Sequence, residues 1–131
     1  MGYYSDVQIA VTKKGYERIK KNQEKYKDYK LLDYFEIEEM KINDKSIIFL
    51  RTEDAIKYYE EYEDIAQLEK DLSKLKEGYV FARFGEQRGD VEFRNFAKIK
   101  ELLVPFDELR GLSDNLHKEF EKEEEEEFGE S

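Results

Sequence analysis

The sequence predicts an α+β domain whose antiparallel sheet follows the ferredoxin-like split βαβ order, β-α-β-β-α-β, with an extra strand closing a hairpin and a C-terminal helix. Three observations predict it. The spacing of apolar residues switches between alternation and helical period in that order along the chain. A turn signal, Asn43-Asp44-Lys45, separates two segments of strand character. The length of 131 residues, with ten Tyr and nine Phe, is enough for one core and short of two. The expected organisation is a single domain over residues 1–118 and an acidic tail over 119–131, helical or disordered.

In Tyr4 to Val11, the residues Val7, Ile9 and Val11 point one way and Asp6, Gln8 and Ala10 the other, a strand with one polar or lightly covered face. Thr12 stands at an N-cap position before a helix from Lys13 to about Tyr26, whose apolar face (Tyr16, Ile19, Gln23) is thin. Leu31 to Ile42 reads as a strand. Its alternation slips at Glu38-Glu39, which suggests a bulge. Ser46 to Arg51 is a buried strand that completes the hairpin. Thr52 to Tyr62 fits either a helix or an extended strand. Asp64 is placed to cap a helix carrying Ile65, Leu68, Leu72 and Leu75 on one stripe, with Gly78 as its C-cap. Tyr79 to Phe84 and Val91 to Phe96 form a second hairpin around Gly85–Asp90. Pro105 ends a short apolar segment, and a helix is expected from Ser113, with Leu116 and Phe120 able to dock. The second face of the sheet is expected to be partly polar, or covered by the C-terminal segment.

Charged residues make up 43% of the chain, against about 25% in typical domains. The formal charge is −10, of which Glu119 to Ser131 supply −7. Such a field repels phosphate backbones and attracts basic protein surfaces, so direct nucleic-acid binding is not expected. Without cysteine there is no disulfide, thiolate nucleophile or Cys-based metal site. The apolar runs are too short to cross a bilayer, and the first residues lack the regions of a signal peptide, so a cytoplasmic location is expected.

His117 is the sole histidine and has no recognisable nucleophile beside it; a surface helix position is the plainer reading. Asp33, Glu36, Glu38 and Glu39 lack the spacing of a metal loop and read as a solvated strand face. Tyr58, Tyr59, Glu60, Glu61, Tyr62, Glu63 and Asp64 make an acidic-aromatic segment, and exposed tyrosine gives contact area at low entropic cost. Tyr3 and Tyr4 at the first strand's entrance offer a similar edge. Arg83 and Arg88, with Glu86 and Asp90 around Gly85 and Gly89, are the place for a small anion, although internal ion pairs ordering the hairpin explain them as well.

The opening Gly2-Tyr3-Tyr4-Ser5-Asp6-Val7, with Thr12-Lys13 after it, resembles a family of small phage and prophage proteins of unknown function. The segments Ile56-Lys57-Tyr58-Tyr59 and Tyr79-Val80-Phe81-Ala82-Arg83-Phe84-Gly85-Glu86 extend the similarity over roughly residues 2–96. The family's central segment tends to carry tryptophan, and this chain has none. The resemblance implies a phage-encoded accessory protein in the host cytoplasm and supplies no catalytic residue.

The expectation is a non-catalytic interaction protein that needs no cofactor or metal. Its acidic surface at residues 58–64, supported by the tail, binds and inhibits a basic host protein of a defence or nucleic-acid-processing kind, by steric block or by mimicking nucleic acid. The alternative is a small ligand-binding or regulatory ferredoxin-like domain that dimerises through its sheet. The oligomeric state is left open.

Overall fold

The computed structural model describes residues 2–28 and 30–108. His117, the helix expected from Ser113 and the acidic tail lie outside the described residues. The elements are β1 (Ser5–Thr12), α1 (Lys13–Gln23), β2 (Phe35–Ile42), β3 (Lys45–Thr52), α2 (Glu63–Ser73), β4 (Val80–Gly85), β5 (Val91–Asn95) and α3 (Val104–Glu108). Short 3-10 turns, Leu31–Tyr34 and Lys100–Leu103, precede β2 and α3. The strands form one sheet in the order β2-β3-β1-β4-β5, with every neighbouring pair antiparallel. This is an α+β fold. The fifth strand lies beyond β4, so the order differs from the four-stranded sheet of the split βαβ pattern.

β1 is central, and both of its sides are buried; of the two expectations for the second face, partly polar or covered by the C-terminal segment, the described residues show cover from Leu102 and Phe106. Val7, Ile9 and Val11 meet Ile19 of α1 and Ile65, Leu68 and Leu72 of α2 in the main core. Ala10 on the other side joins Ile47, Phe49, Val80 and Ala82 beneath Leu102 and Phe106. The Phe49 and Phe106 rings meet edge to face at 5.2 Å. Each fully buried side chain of this size contributes about 1.5–3 kcal/mol of transfer free energy, so the short segment around Leu102 and Phe106 is a sizeable part of the fold.

The same two-sided covering explains β2. Its register with β3 runs unbroken from Phe35↔Thr52 to Ile42↔Lys45, so there is no bulge. Phe35 packs into the helical-side core, while Met40 and Ile42 pack on the opposite face. The slip in alternation marks the strand's apolar residues changing face. Between β2 and β3, Asn43 and Asp44 take positive φ (52° and 65°), as the two-residue turn that matches hairpin twist demands.

The helices start and stop for local reasons. Thr12 accepts a hydrogen bond from the Gly15 amide (3.1 Å) and fixes the start of α1, which ends three residues before the expected Tyr26. Residues 53–62 are neither helix nor strand, apart from one bridge in which Ser5 and Ile56 exchange backbone hydrogen bonds of 2.8 and 2.9 Å. The N-cap of α2 is Tyr62, with no side-chain cap; Asp64, expected there, sits buried in the first turn. Its carbonyl accepts from Gln23 Nε2 at 2.8 Å. Lys74, not Gly78, caps the C-terminus of α2. Gly78 has φ +79°, and a Cβ there would stand 2.0 Å from the Phe96 carbonyl oxygen. Pro105 lies in the first turn of α3 and so begins a helix rather than ending a segment. A helix leaves its first N–H groups unpaired, so the missing donor costs nothing there.

Candidate functional site

The segment between β3 and α2 is held from three directions. Its Ile56 bridges Ser5 at the start of β1. The Tyr3 amide donates to the Tyr59 hydroxyl (2.5 Å). Tyr58 turns inward, with its ring 5.6 Å from that of Phe81 and its hydroxyl donating to Glu69 of α2. Of the expected partner-binding residues, Tyr58 is therefore packed, Tyr59 is half-buried and bonded, and Asp64 is buried. Glu60, Glu61, Tyr62 and Glu63 face solvent.

Beside Tyr58 and Tyr59 is a cleft of about 470 Å³, lined also by Glu60, Glu61, Arg83, Glu92 and Arg94. It brings the acidic-aromatic segment together with Arg83. Arg83 is fully engaged: Nε donates to Glu92 (3.1 Å), Nη1 to Ser5 Oγ (3.0 Å) and Asp90 (3.3 Å), and Nη2 to Asp90 (2.9 Å). Carboxylates already stand where an incoming anion would sit. Arg88 is exposed in the loop between β4 and β5 and does not line this cleft. The hydroxyl of Tyr3 locks the same loop, donating to Asp90 (2.5 Å) and accepting from the Gln87 amide (2.9 Å).

The titration of these groups follows their partners. The Arg83 hydrogen bonds, then that of Tyr3, hold Asp90 below the usual carboxylate range. Burial alone would raise Glu69, but hydrogen bonds from Arg94 and Tyr58 outweigh it, and the carboxyl ends lower than usual. Burial, then the charge of Glu69, pushes the Tyr58 hydroxyl well above its ordinary value. At neutral pH the carboxylates stay ionised and the phenol stays protonated, so none is poised to exchange a proton.

A larger cleft of about 730 Å³ opens at the N-terminus of α2. Three of the most exposed aromatics among the described residues, Tyr4 (40%), Tyr34 (59%) and Tyr62 (43%), line it. Between them stand Asp28, Asp54, Glu61 and Glu63, with Lys57 the one cation among the described lining residues. Lys57 Nζ lies 5.7 Å from the centre of the Tyr4 ring, a cation–π contact. Tyr34 and Asp54 were not singled out from the sequence. The hairpin register brings them there: counting outward from the Asn43-Asp44 turn sets residue 34 opposite 53, and the Glu53 amide donates to the Tyr34 carbonyl (3.1 Å).

The carboxylates once weighed as metal ligands do not converge. Glu36 and Glu38 share one face of β2 and Glu39 lies on the other. Among the described residues no group of three His, Cys, Asp or Glu side chains is placed to hold a metal ion, and no helix is long and apolar enough to cross a membrane.

No protein-family model, curated protein or solved structure matches the chain. The fold and its clefts define an α+β protein with a five-stranded antiparallel sheet and an acidic, tyrosine-lined opening at one end of its helical layer.

Proposed function

We propose that the chain is a non-catalytic interaction protein whose acidic, tyrosine-bearing surface at the start of α2 binds a basic site on another protein and blocks it. The observation that carries this reading is the cleft in which Tyr4, Tyr34 and Tyr62 stand among Asp28, Asp54, Glu61 and Glu63. Aromatic faces and carboxylates together suit lysine and arginine side chains, through cation–π contact and charge-assisted hydrogen bonds. The net charge of −10 steers a basic partner toward the chain. The resemblance to small phage proteins makes the natural partner a host defence or nucleic-acid-processing enzyme. The site keeps Glu61, Tyr62, Glu63 and Asp64 from the sequence-based expectation, with Glu60 exposed beside them, adds Tyr34 and Asp54, and leaves Tyr58 to the core.

The test is capture from host lysate at low and high salt by the full chain and by a Glu60→Lys/Glu61→Lys/Glu63→Lys variant, followed by assay of the captured enzyme's activity. Salt-sensitive capture by the parent alone, with inhibition of the captured enzyme, supports the reading. Equal capture by both removes the site.

A second reading, a small ligand-binding or regulatory dimer of ferredoxin-like type, rests on one observation. β3 lies between β1 and β2, and β4 joins β1 on its other side, as a split βαβ unit arranges its first four strands. The outer strand β2 is exposed along much of its length and offers an edge for a second copy. A concentration-independent monomer in sedimentation, without a ligand-induced thermal shift, would count against it.

A further inference from the structure

At the opposite end of the helical layer, where α1 begins and α2 has ended, lies a cleft of about 680 Å³. β1 spans the distance: Tyr4, just before it, lines the acidic cleft, while Thr12, its last residue, lines this one. At ~3.3 Å per residue the two are about 25 Å apart. Among the described residues, Lys13, Lys14, Arg18, Lys45, Lys74 and Lys76 line the basic cleft, against the single acid Glu77.

This concentration of positive charge is unusual in a chain with 33 acids and 23 bases. Lys13 and Lys14 occupy the first turn of α1, which holds no acid, so they lie at the helix end whose dipole disfavours cations. Part of the cluster is paired. Lys13 reaches Glu39 at 3.5 Å, Lys45 reaches Glu101 at 3.4 Å, and Arg18 stands 3.9 Å from Asp71. Among the described residues no carboxylate forms an ion pair with Lys14, Lys74 or Lys76. The fold holds them near one another: Leu75, between Lys74 and Lys76, packs so closely on Gly15 that a Cβ there would lie 3.2 Å from its side chain.

We propose that this cleft binds a small, multiply charged, phosphate-bearing anion. Its volume is that of a small-molecule site, about 300–1,000 Å³, and ammonium groups on flexible stems suit phosphate oxygens as point charges. Arg83 differs from these lysines, since its guanidinium already donates to Ser5, Asp90 and Glu92. The size of the cleft sets the size of the ligand. At physiological ionic strength the cluster acts over about 8 Å, enough for a di- or triphosphate held within the cleft. The inference is independent of the acidic cleft.

The experiment is calorimetric titration of the full chain with inorganic orthophosphate, pyrophosphate and tripolyphosphate, beside a Lys14→Gln/Lys74→Gln/Lys76→Gln variant. All three lysines are exposed, so the variant keeps its packing. Affinity is expected to rise from ortho- to tripolyphosphate in the parent and to fall at least about tenfold for tripolyphosphate in the variant. Without anion, the variant's Tm is expected to equal or exceed that of the parent, since mutual repulsion is relieved. Absence of tripolyphosphate binding, equal affinity in both proteins, or a clearly lower Tm of the unliganded variant would each overturn the proposal. So would an oligonucleotide that binds the parent more tightly than tripolyphosphate and is lost in the variant. The Glu60/Glu61/Glu63 charge-reversed protein is expected to retain tripolyphosphate binding, which separates failure here from failure of the acidic surface.

Discussion

Arg94 holds Glu69 with both terminal nitrogens, at 2.7 and 2.9 Å, while its guanidinium carbon lies 3.8 Å from the centre of the Phe81 ring. The pair joins β5 to α2, and through the Tyr58 hydroxyl it also ties down the segment that carries the acidic cleft. Both side chains are mostly buried, at 21% and 19% exposure. Glu69→Gln leaves Arg94 only the more exposed Glu92, 3.0 Å from its Nε, as a charged partner, and the expected cost is about 1–3 kcal/mol, read from the urea midpoint. A loss below about 0.5 kcal/mol would put the pair among ordinary surface bridges.

Glu69 and Asp90 both titrate below their ordinary range, and this fixes the sign of an acid effect. A depressed folded-state value gives stability that is fully present above the unfolded carboxylate values, about 4. That stability is lost as pH falls through the folded values. Unfolding free energy should therefore drop steeply below about pH 4 in the parent and less steeply in Asp90→Asn. Parallel slopes from pH 5 to pH 2 would contradict the assignment.

Asp6 behaves oppositely. Burial, and then the charge of Asp54, raise it above the usual value. The ionised carboxylate is thus a penalty at neutral pH that disappears as pH falls below the unfolded value. Asp6→Asn should raise Tm at pH 7 and leave it unchanged near about pH 3. Asp54→Asn should give a smaller gain in the same direction; no gain from either would break the link.

Gly78 combines a positive φ with close contact to the Phe96 backbone. Gly78→Ala cannot relieve either by moving a side chain, and a cost of at least about 2 kcal/mol is expected in chemical denaturation. Gly15→Ala is the control. There the neighbour is the flexible Leu75 side chain, and the gain in helix propensity of about 1 kcal/mol offsets the contact.

Much of the fold was legible because it is local. The Thr12 cap and the Asn43-Asp44 turn are written in adjacent residues and appear in the structure as read. The misreadings at Glu38-Glu39 and Pro105 share one cause: both depend on the second face of the sheet being covered by the segment around Leu102 and Phe106, far away in the sequence. At the candidate site, the exposure of residues 60–63 could be anticipated from their charge. The inward turn of Tyr58 could not, because its partners, Glu69 and Phe81, come from α2 and β4. The basic cleft did leave a local trace, two lysines directly after an N-cap, where carboxylates are favoured.

The central place of β1 has a consequence for synthesis. Ile9 pairs with Leu50 on one side and with Phe81 on the other. At ribosomal rates of about 5–20 residues per second, Val7, Ile9 and Val11 wait several seconds after emerging before the last of these partners exists. The β2–β3 hairpin can form meanwhile, but it shields one edge of β1 and leaves the other open. A nascent chain stalled between β3 and β4 would expose an apolar, unpaired strand edge, which is where a chaperone would bind or aggregation would begin.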